Sequence, residues 1–217
     1  GAYAALNTKW NGKKIAWVGT SMPVTVTDDS NLNPYPQRLA ASLGAWIVNQ
    51  GSGGSRIIYD PASALGLSAT IAEQTANGFS AYAKESYEIK ILGGVGNLDF
   101  LVIDHGCNDA GRTIGAITST NKQEVCGAVN FIRNQTLVAY PSCQIICITP
   151  ISDLLFSGSL ESEINATAQA MRDWAAQYDD VRVYDALADL AWGSTEVAAF
   201  IGDGTHLNAA GAAEVAN

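Results

Sequence analysis

The spacing of hydrophobic and polar positions changes repeatedly along the chain, and five short apolar runs stand out. Each run is four to seven residues long and is bounded by turn residues, which is the pattern of a buried β-strand. The predicted strands are Lys14–Gly19, Ala45–Asn49, Leu98–Asp104, Cys143–Thr149 and Val181–Tyr184.

Stretches with helical periodicity separate these strands, because their apolar residues recur every three or four positions. The predicted helices are Pro34–Leu43, a stretch near Ser68–Lys84, Asn121–Ala139, Glu161–Tyr178 and a terminal helix from Asn208. Residues Gly93–Gly96 are predicted to form a loop.

Strands that alternate with helices favour a parallel sheet, since two parallel neighbours can be joined only by a crossover connection. The sequence therefore predicts an α/β protein, a three-layer α/β/α sandwich with a parallel sheet of about five strands. No repeat, low-complexity tract or change in composition divides the chain. We expect residues 1–217 to form one domain, with residues 1–13 as an N-terminal arm.

Composition and charge narrow the possible partners. Of the 217 residues, 47% are hydrophobic and 15% are charged, which is typical of a folded globular protein. The net charge of −9 opposes binding to nucleic acid, because a phosphate backbone would be repelled. No apolar run approaches the roughly 20 residues that cross a bilayer. We expect a neutral substrate, no nucleic-acid partner and no membrane span.

The two ends of the sequence point to a larger context. Gly1 follows no initiator Met, and the chain does not begin with a signal-peptide pattern. Residues Ala213–Asn217 stop within a helical pattern that lacks a cap. We expect the chain to be a piece excised from a longer polypeptide.

The cysteines of the chain are Cys107, Cys126, Cys143 and Cys147. They lack the C-x-x-C spacing of a zinc site. Cys143 and Cys147 would lie about 13 Å apart along one strand, which is too far for a disulfide. We therefore predict buried free thiols. Trp17 and Trp46, which lie in predicted strands, are assigned to the core.

Reactive side chains follow several predicted strands at their carboxyl ends, where ligands bind in an open parallel sheet. Ser21 follows the first strand, Gly54 lies in the glycine run after the second, and Asn108 follows the third. Asp203 and His206 precede the last helix. We expect a hydroxyl, an amide, a carboxylate and an imidazole to meet at one edge of the sheet.

Acyl transfer uses all of these groups. The Ser21 hydroxyl becomes nucleophilic when a base takes its proton, and the imidazole of His206 can serve as that base. A carboxylate, here Asp203, orients the imidazole. The oxyanion of the intermediate needs donors fixed in advance, and the candidates are the Asn108 amide and the backbone N–H groups of Ser21 and Gly54.

The choice of base lies between two histidines, His105 and His206. His105 follows Asp104, which would allow a rival arrangement of Ser21, His105 and Asp104. Neighbouring residues of a strand point to opposite faces, so Asp104 and His105 should diverge. Asp203 lies three residues before His206 in a glycine-containing turn and has no such conflict. His206 is therefore favoured.

Four segments together resemble the SGNH, or GDSL-type, superfamily of serine esterases. They are Lys14–Ser21, which ends at the nucleophile position; Asn49–Ser55, in which Gly54 matches the oxyanion glycine; Gly106–Asp109, which matches G-x-N-D; and Asp203–His206, which matches D-x-x-H. The segments occur in the family's order and span nearly the whole chain. The resemblance implies a flavodoxin-like sheet, ester hydrolysis, and no metal or organic cofactor.

One residue departs from the family pattern. Thr20 stands where the first block, G-D-S, usually has Asp. That Asp does not relay the proton, so its replacement leaves the triad intact but changes how the nucleophile loop is braced. The Thr20 hydroxyl can hydrogen-bond locally. Asp109 is expected to brace its own loop rather than to act in the reaction.

Three further features have more than one interpretation. The run Gly51–Gly54 invites a dinucleotide site, but it lacks the G-x-G-x-x-G spacing and an acidic residue on a following strand. Arg56 is either a substrate contact or a solvated side chain. Trp192 either lines the pocket or closes a loop over the core.

The sequence thus predicts a carboxylic-ester hydrolase that works through an acyl-enzyme. The resemblance favours removal of acetyl or another small acyl group from a carbohydrate, so that the substrate is a small-molecule or polysaccharide ester, in an extracellular, cell-surface or virion-associated setting. A lipase or thioesterase of the same superfamily is an alternative. Rivals from other classes are a catalytically silent carbohydrate-binding module and a flavodoxin-like cofactor binder.

Overall fold

The computed structural model describes residues 9–27, 33–61, 66–70, 72–73, 96–158 and 160–216. Its central element is a parallel sheet with the strand order β2–β1–β3–β4–β5. The strands are β1 (Lys14–Gly19), β2 (Trp46–Asn49), β3 (Phe100–Asp104), β4 (Gln144–Ile148) and β5 (Val181–Tyr184). This order is the flavodoxin-like one, in which the chain steps from β1 to one side and then returns to the other.

Helices lie between β1 and β2, between β3 and β4 and between β4 and β5, and others follow β5. In the described residues they are α1 (Tyr35–Leu43), α2 (Val125–Ala139), α3 (Glu161–Ala175), α4 (Ala186–Leu190), α5 (Ser194–Phe200) and α6 (Ala209–Val215), with a short 3₁₀ helix at Leu155–Gly158. None of the helices in these described ranges is long and apolar enough to cross a membrane.

The two faces of the sheet carry separate apolar clusters, because successive side chains of a strand point to opposite faces. Ala16 and Val18 of β1 pack in one cluster with residues of α2 and α3. Ile15 and Trp17 pack in the other, which includes residues of α1 and α6. Helices therefore cover both faces, and the predicted three-layer α/β/α sandwich is confirmed.

Several predicted elements are shorter in the structure than in the sequence pattern. The helix predicted from Asn121 begins at Val125, because Asn121 instead forms a turn in which its side chain accepts the Gln123 N–H at 3.1 Å. The helix predicted to reach Tyr178 ends at Ala175 in a final turn. The helices α4 and α5 were not predicted at all.

Other predictions fall wholly or partly outside the described residues. These are most of the helix near Ser68–Lys84, most of the loop Gly93–Gly96, and residues 1–8 of the N-terminal arm. The four cysteines are described, and all are buried free thiols.

The assignment of Trp46 to the core was wrong. Trp17 is 3% exposed, but Trp46 is 73% exposed. The difference follows from strand position, since β1 lies between two strands whereas β2 is at the edge of the sheet and pairs only with β1. An edge strand can leave an apolar side chain in solvent even when its pattern resembles that of a central strand.

A buried carboxylate lies at the carboxyl end of β3. Asp104 Oδ2 accepts hydrogen bonds from Trp17 Nε1 at 2.9 Å and from the Tyr35 hydroxyl. Burial raises the pKa of Asp104 to about 6, although both donors act to lower it. Burial, and then the neighbouring carboxylate, also raise the pKa of Tyr35. Ionising Asp104 therefore opposes folding.

We predict that Asp104→Asn reduces the pH dependence of stability. An amide oxygen in the place of Oδ2 can accept from the same two donors without carrying a charge. The folded-state pKa of about 6 exceeds the ordinary value of 3.8, so the stability from this carboxyl is complete below pH 4 and is lost as pH rises through 6. Between pH 5 and pH 8, the free energy of unfolding measured with urea should fall by on the order of 1–2 kcal/mol less in the variant than in wild type. The same loss in both proteins would contradict this account.

Candidate active site

Three of the predicted site residues, Ser21, Gly54 and Asn108, follow strands that are neighbours in the sheet. Because β1 pairs with both β2 and β3, the segments after these three strands leave the sheet at one edge. In a flavodoxin-like sheet this is where the strand order reverses and where ligands bind. The loops after β1, β2 and β3 therefore form the framework of the site.

Ser21 lies in a tight turn directly after β1. Its carbonyl accepts hydrogen bonds from the N–H groups of Val24 at 3.1 Å and Thr25 at 2.8 Å. The preceding residue, Thr20, is buried, and its Oγ1 accepts the Met22 N–H at 3.2 Å. The Thr20 hydroxyl thus holds the nucleophile turn by a local bond, in the position where the family usually has Asp.

The loop after β2 packs closely against this turn. A Cβ on Gly51 would lie 2.7 Å from Val24 Cγ1 and 3.0 Å from Thr20 O, so a glycine is needed at this approach. Further along the loop, the Ser55 hydroxyl donates to Gly19 O at 3.0 Å. The two loops are therefore fixed to each other.

His206 lies in a loop that is closed by a bridge between Ile201 and Leu207. Leu207 is fully buried, and its carbonyl accepts the Thr27 N–H at 3.0 Å. This bond ties the loop to the segment that follows Ser21. The fold thereby brings together two side chains that are 185 positions apart in sequence.

The His206 ring bridges Ser21 and Asp203. Its Nε2 lies 2.8 Å from Ser21 Oγ, and its Nδ1 lies 2.8 Å from Asp203 Oδ2. The pKa of Asp203 is lowered to about 2, mainly by the hydrogen bond from the His206 side chain and further by bonds from backbone N–H groups. This carboxylate is therefore ionised and can only accept hydrogen bonds. Nδ1 therefore carries the proton, and Nε2 is the acceptor for the Ser21 hydroxyl.

The second oxygen of Asp203 holds the backbone of the same loop. Oδ1 accepts the N–H groups of Thr205 at 3.0 Å and His206 at 2.7 Å. One carboxylate thus fixes both the chain that carries the imidazole and the ring itself. In contrast to the rival arrangement, the ring that contacts Ser21 Oγ is that of His206, and Asp104 Oδ2 accepts from Trp17 and Tyr35.

The three predicted oxyanion donors lie in the loops after β1, β2 and β3. Gly54 has φ of +74°, in the left-handed region, and a Cβ there would meet no atom within 4 Å. In the part of the chain that the structure describes, no hydrogen bond uses the backbone N–H of Ser21 or Gly54 as its donor. The Asn108 amide donates one N–H to Ser55 O at 3.0 Å and has a second N–H.

Arg56 and Asp109 join the loops after β2 and β3. Arg56 Nε donates to Asn108 O at 3.2 Å, and its Nη1 pairs with Asp60 at 3.2 Å, so this residue is bonded within the site framework. The Asp109 carboxylate is fully buried and accepts the N–H groups of Ile57 and Ile58 at 3.0 to 3.3 Å. Burial raises the pKa of Asp109 to about 6, and these N–H bonds counteract part of that shift.

The structure decides between the two roles predicted for Trp192, and it adds Ser55, which the sequence did not single out. Trp192 is buried and packs against Phe200 with ring centroids 5.0 Å apart, so it closes a loop over the core. Ser55 contacts the last residue of β1 and the loop after β3. A lone serine in a glycine-rich run carries no signal that could distinguish this role from an ordinary turn position.

An apolar cavity of about 300 Å³ lies on one face of the sheet. Its walls include Ile15, Trp17, Ile148 and Val215, and none of its lining residues belongs to the Ser21–His206–Asp203 arrangement. Within the described ranges, no group of three or more His, Cys, Asp and Glu side chains could hold a metal ion.

Acyl transfer requires a serine hydroxyl bonded to an imidazole that is in turn bonded to a carboxylate, together with N–H donors for the oxyanion. The side chains of Ser21, His206 and Asp203 form this chain of hydrogen bonds. Residues 16–214 match the model of the GDSL-like Lipase/Acylhydrolase family, and the chain belongs to that family. It is therefore an esterase or acylhydrolase. No curated protein matches the chain.

Solved structures share the fold across nearly their whole length. A protein from Lactobacillus plantarum is 20% identical, with a TM-score of 0.66, and the match covers 95% of this chain and 93% of that one. Axe2, an acetylxylan esterase from Geobacillus stearothermophilus, is 17% identical, with a TM-score of 0.59 and coverage of 95% and 92%. These likenesses establish the fold.

Proposed function

We propose that the protein is a serine carboxylic-ester hydrolase that removes acetyl, or another small acyl group, from a carbohydrate through an acyl-enzyme. The observation that carries the proposal is the 2.8 Å separation of Ser21 Oγ and His206 Nε2, in an imidazole whose other nitrogen is held by an ionised carboxylate. This is the pairing that converts a weakly nucleophilic hydroxyl into an attacking group.

In the first step, Ser21 Oγ attacks the ester carbonyl carbon while its proton passes to His206 Nε2. The imidazolium that forms is stabilised by Asp203, which stays ionised because its pKa is about 2. The carbonyl oxygen becomes an oxyanion and accepts bonds from the Ser21 and Gly54 N–H groups and from the Asn108 amide. One well-placed donor of this kind is worth about 2.7–4 kcal/mol of barrier.

In the second step, the tetrahedral intermediate collapses and the C–O bond to the alcohol breaks. His206 Nε2 returns its proton to the leaving alcohol oxygen, and the acyl group remains on Ser21 Oγ. A water then gives a proton to the same nitrogen and attacks the acyl carbon, which forms a second tetrahedral intermediate. Its collapse breaks the bond between the acyl carbon and Ser21 Oγ and releases the carboxylic acid, while His206 Nε2 returns its proton to Ser21 Oγ.

The openness of the site supports a bulky alcohol and a short acyl group. The Asp203 and His206 side chains are 48% and 24% exposed, so the reacting edge lies at the protein surface. A short acyl chain needs only a shallow recess, whereas a long chain needs an apolar channel next to the nucleophile. The apolar cavity described above has no triad residue in its wall.

Two further observations favour an acetylated sugar. The net charge of −9 disfavours strongly anionic substrates, and an acetylated neutral carbohydrate avoids that repulsion. Among the proteins of similar fold, Axe2 is named an acetylxylan esterase, which supplies the carbohydrate part of the proposal by analogy. A lipase or thioesterase would use the same Ser21 chemistry and differ in the substrate alone. A silent binding module is disfavoured, because Ser21, His206 and Asp203 are all present.

We predict that Ser21→Ala and His206→Ala each lower kcat for p-nitrophenyl acetate by several orders of magnitude, because each removes a member of the proton relay. The control is Ser42→Ala, which removes an exposed serine hydroxyl that donates to Leu39 O in α1 and should leave the rate unchanged. The measurement is the initial rate of p-nitrophenyl acetate hydrolysis by each variant, with circular dichroism to check that the variant is folded. Full activity in Ser21→Ala would refute the proposal.

We also predict a preference for short acyl chains. The value of kcat/KM should fall from p-nitrophenyl acetate to the butyrate and fall further to the octanoate, because no triad residue lines the apolar cavity found among the described residues. Acetate should be released from acetylated xylooligosaccharides or another acetylated glycan, as measured by an enzyme-coupled acetate assay. A preference for the octanoate, or for an acyl thioester over every acetylated sugar tested, would favour the lipase or thioesterase alternative instead.

A further inference from the structure

The loops after β2 and β3 are linked by side chains that hold the backbone of the opposite loop. Asn108, from the loop after β3, donates its amide N–H to Ser55 O at 3.0 Å. Arg56, from the loop after β2, donates its Nε to Asn108 O at 3.2 Å. The two carboxylate oxygens of Asp109 share the N–H of Ile57, at 3.0 and 3.1 Å. We call these contacts between Ser55–Ile57 and Asn108–Asp109 the loop brace.

The loop brace joins the two loops that carry oxyanion donors. Gly54 directly precedes Ser55, and Asn108 is itself part of the brace. The amide group of Asn108 is planar, so a bond from one N–H to Ser55 O also fixes the direction of the other N–H. That second N–H is the proposed oxyanion donor. The position of each donor thus depends on the opposite loop.

Arg56 is the member of the brace whose bonds are best suited to set the Asn108 backbone. Its guanidinium is planar, and it is held at two points, by Asn108 O through Nε and by Asp60 through Nη1. The side chain is 30% exposed, so it lies near the surface beside the site. It neither fills the core nor reaches into solvent without partners.

We propose that Arg56 is a positioning residue for catalysis, because its Nε fixes the Asn108 loop and thereby aims the Asn108 amide at the oxyanion. This inference rests on the proposed function. It assigns no direct contact between Arg56 and the substrate. The effect of Arg56 is therefore expected in the transition state, where the oxyanion exists, and not in the binding of the ester.

The size of the effect follows from the geometry of catalytic hydrogen bonds. Removing an oxyanion donor lowers kcat by about 10²–10³ fold, and a displacement of about 1 Å can cost roughly 10² fold. Loss of the Arg56 Nε bond leaves the Ser55 and Asp109 contacts in place, so the donor is loosened but still present. We expect kcat to fall about tenfold or more while KM changes little.

Two substitutions at position 56 separate the Nε bond from the charge. Glutamine places an amide nitrogen as many bonds from Cα as the arginine Nε, so Arg56→Gln can keep the donor to Asn108 O. Methionine has a similar length and no donor. Both variants lose the positive charge and the guanidinium pairing with Asp60, and of the two only glutamine can donate to Asn108 O. The exposed Arg112, changed to Gln, is the control for loss of a nearby positive charge.

The experiment measures kcat and KM for p-nitrophenyl acetate and the inhibition constant of phenylboronic acid, which forms a tetrahedral adduct with a nucleophilic serine. We expect Arg56→Met to lose about tenfold or more in kcat and in boronate affinity, with Arg56→Gln within threefold of wild type. A smaller folded fraction would lower the apparent kcat but leave the inhibition constant unchanged. Thermal unfolding of each variant checks the folded fraction independently.

The inference is overturned if Arg56→Met keeps its kcat, if Arg56→Gln and Arg56→Met lose kcat equally, or if KM alone rises. A rise in KM alone would assign Arg56 to substrate binding, and an equal loss in Arg112→Gln would point to charge in general. Failure of the proposed function would look different from these results. If the proposed function were wrong, Ser21→Ala would stay active and phenylboronic acid would not inhibit wild type.

Discussion

Parallel pairing of β1 with both β2 and β3 is the constraint on which the site depends. Each strand of a parallel sheet ends at the same edge, and the reversal of strand order at β1 leaves room between the loops after β1 and β3. Ser21 and Asn108 occupy those loops because of this topology. His206 lies outside these loops, and the bridge between Ile201 and Leu207 closes the loop that carries it.

Hydrogen bonds between loops, rather than apolar packing alone, give the site its geometry. Asp203 holds both the His206 backbone and its ring, Asp109 holds the loop after β2, and Thr20 holds the nucleophile turn. Asp109 is fully buried, and its raised pKa means that its charge opposes folding above about pH 6. The protein thus gives up some stability for a rigid arrangement at the sheet edge, as is common at functional sites.

The sequence was sufficient for the fold class and most of the strands, since apolar runs bounded by turn residues leave little ambiguity. The bounds of β1 and β5 agree fully with the prediction, and those of β2, β3 and β4 differ by one or two residues at their ends. Trp46 was misassigned because periodicity does not distinguish an edge strand from a central one. The helices α4 and α5 were not predicted, because five to seven residues span too few turns to show a helical period.

The candidate site was predictable as a set of residues but not as a network. Ser21, His206 and Asp203 could be chosen because each has a reactive group in a recognisable block, and the structure brings them within hydrogen-bonding distance. The bonds of Arg56 and Ser55 could not be foreseen, because they join segments more than 35 positions apart and leave no periodic trace. The most direct test of the central claim is covalent labelling with diethyl p-nitrophenyl phosphate, followed by peptide mass spectrometry. The account predicts one diethylphosphoryl group per chain, on Ser21, with labelling slowed in His206→Ala; a label on another serine, or continued ester hydrolysis without any label, would contradict it.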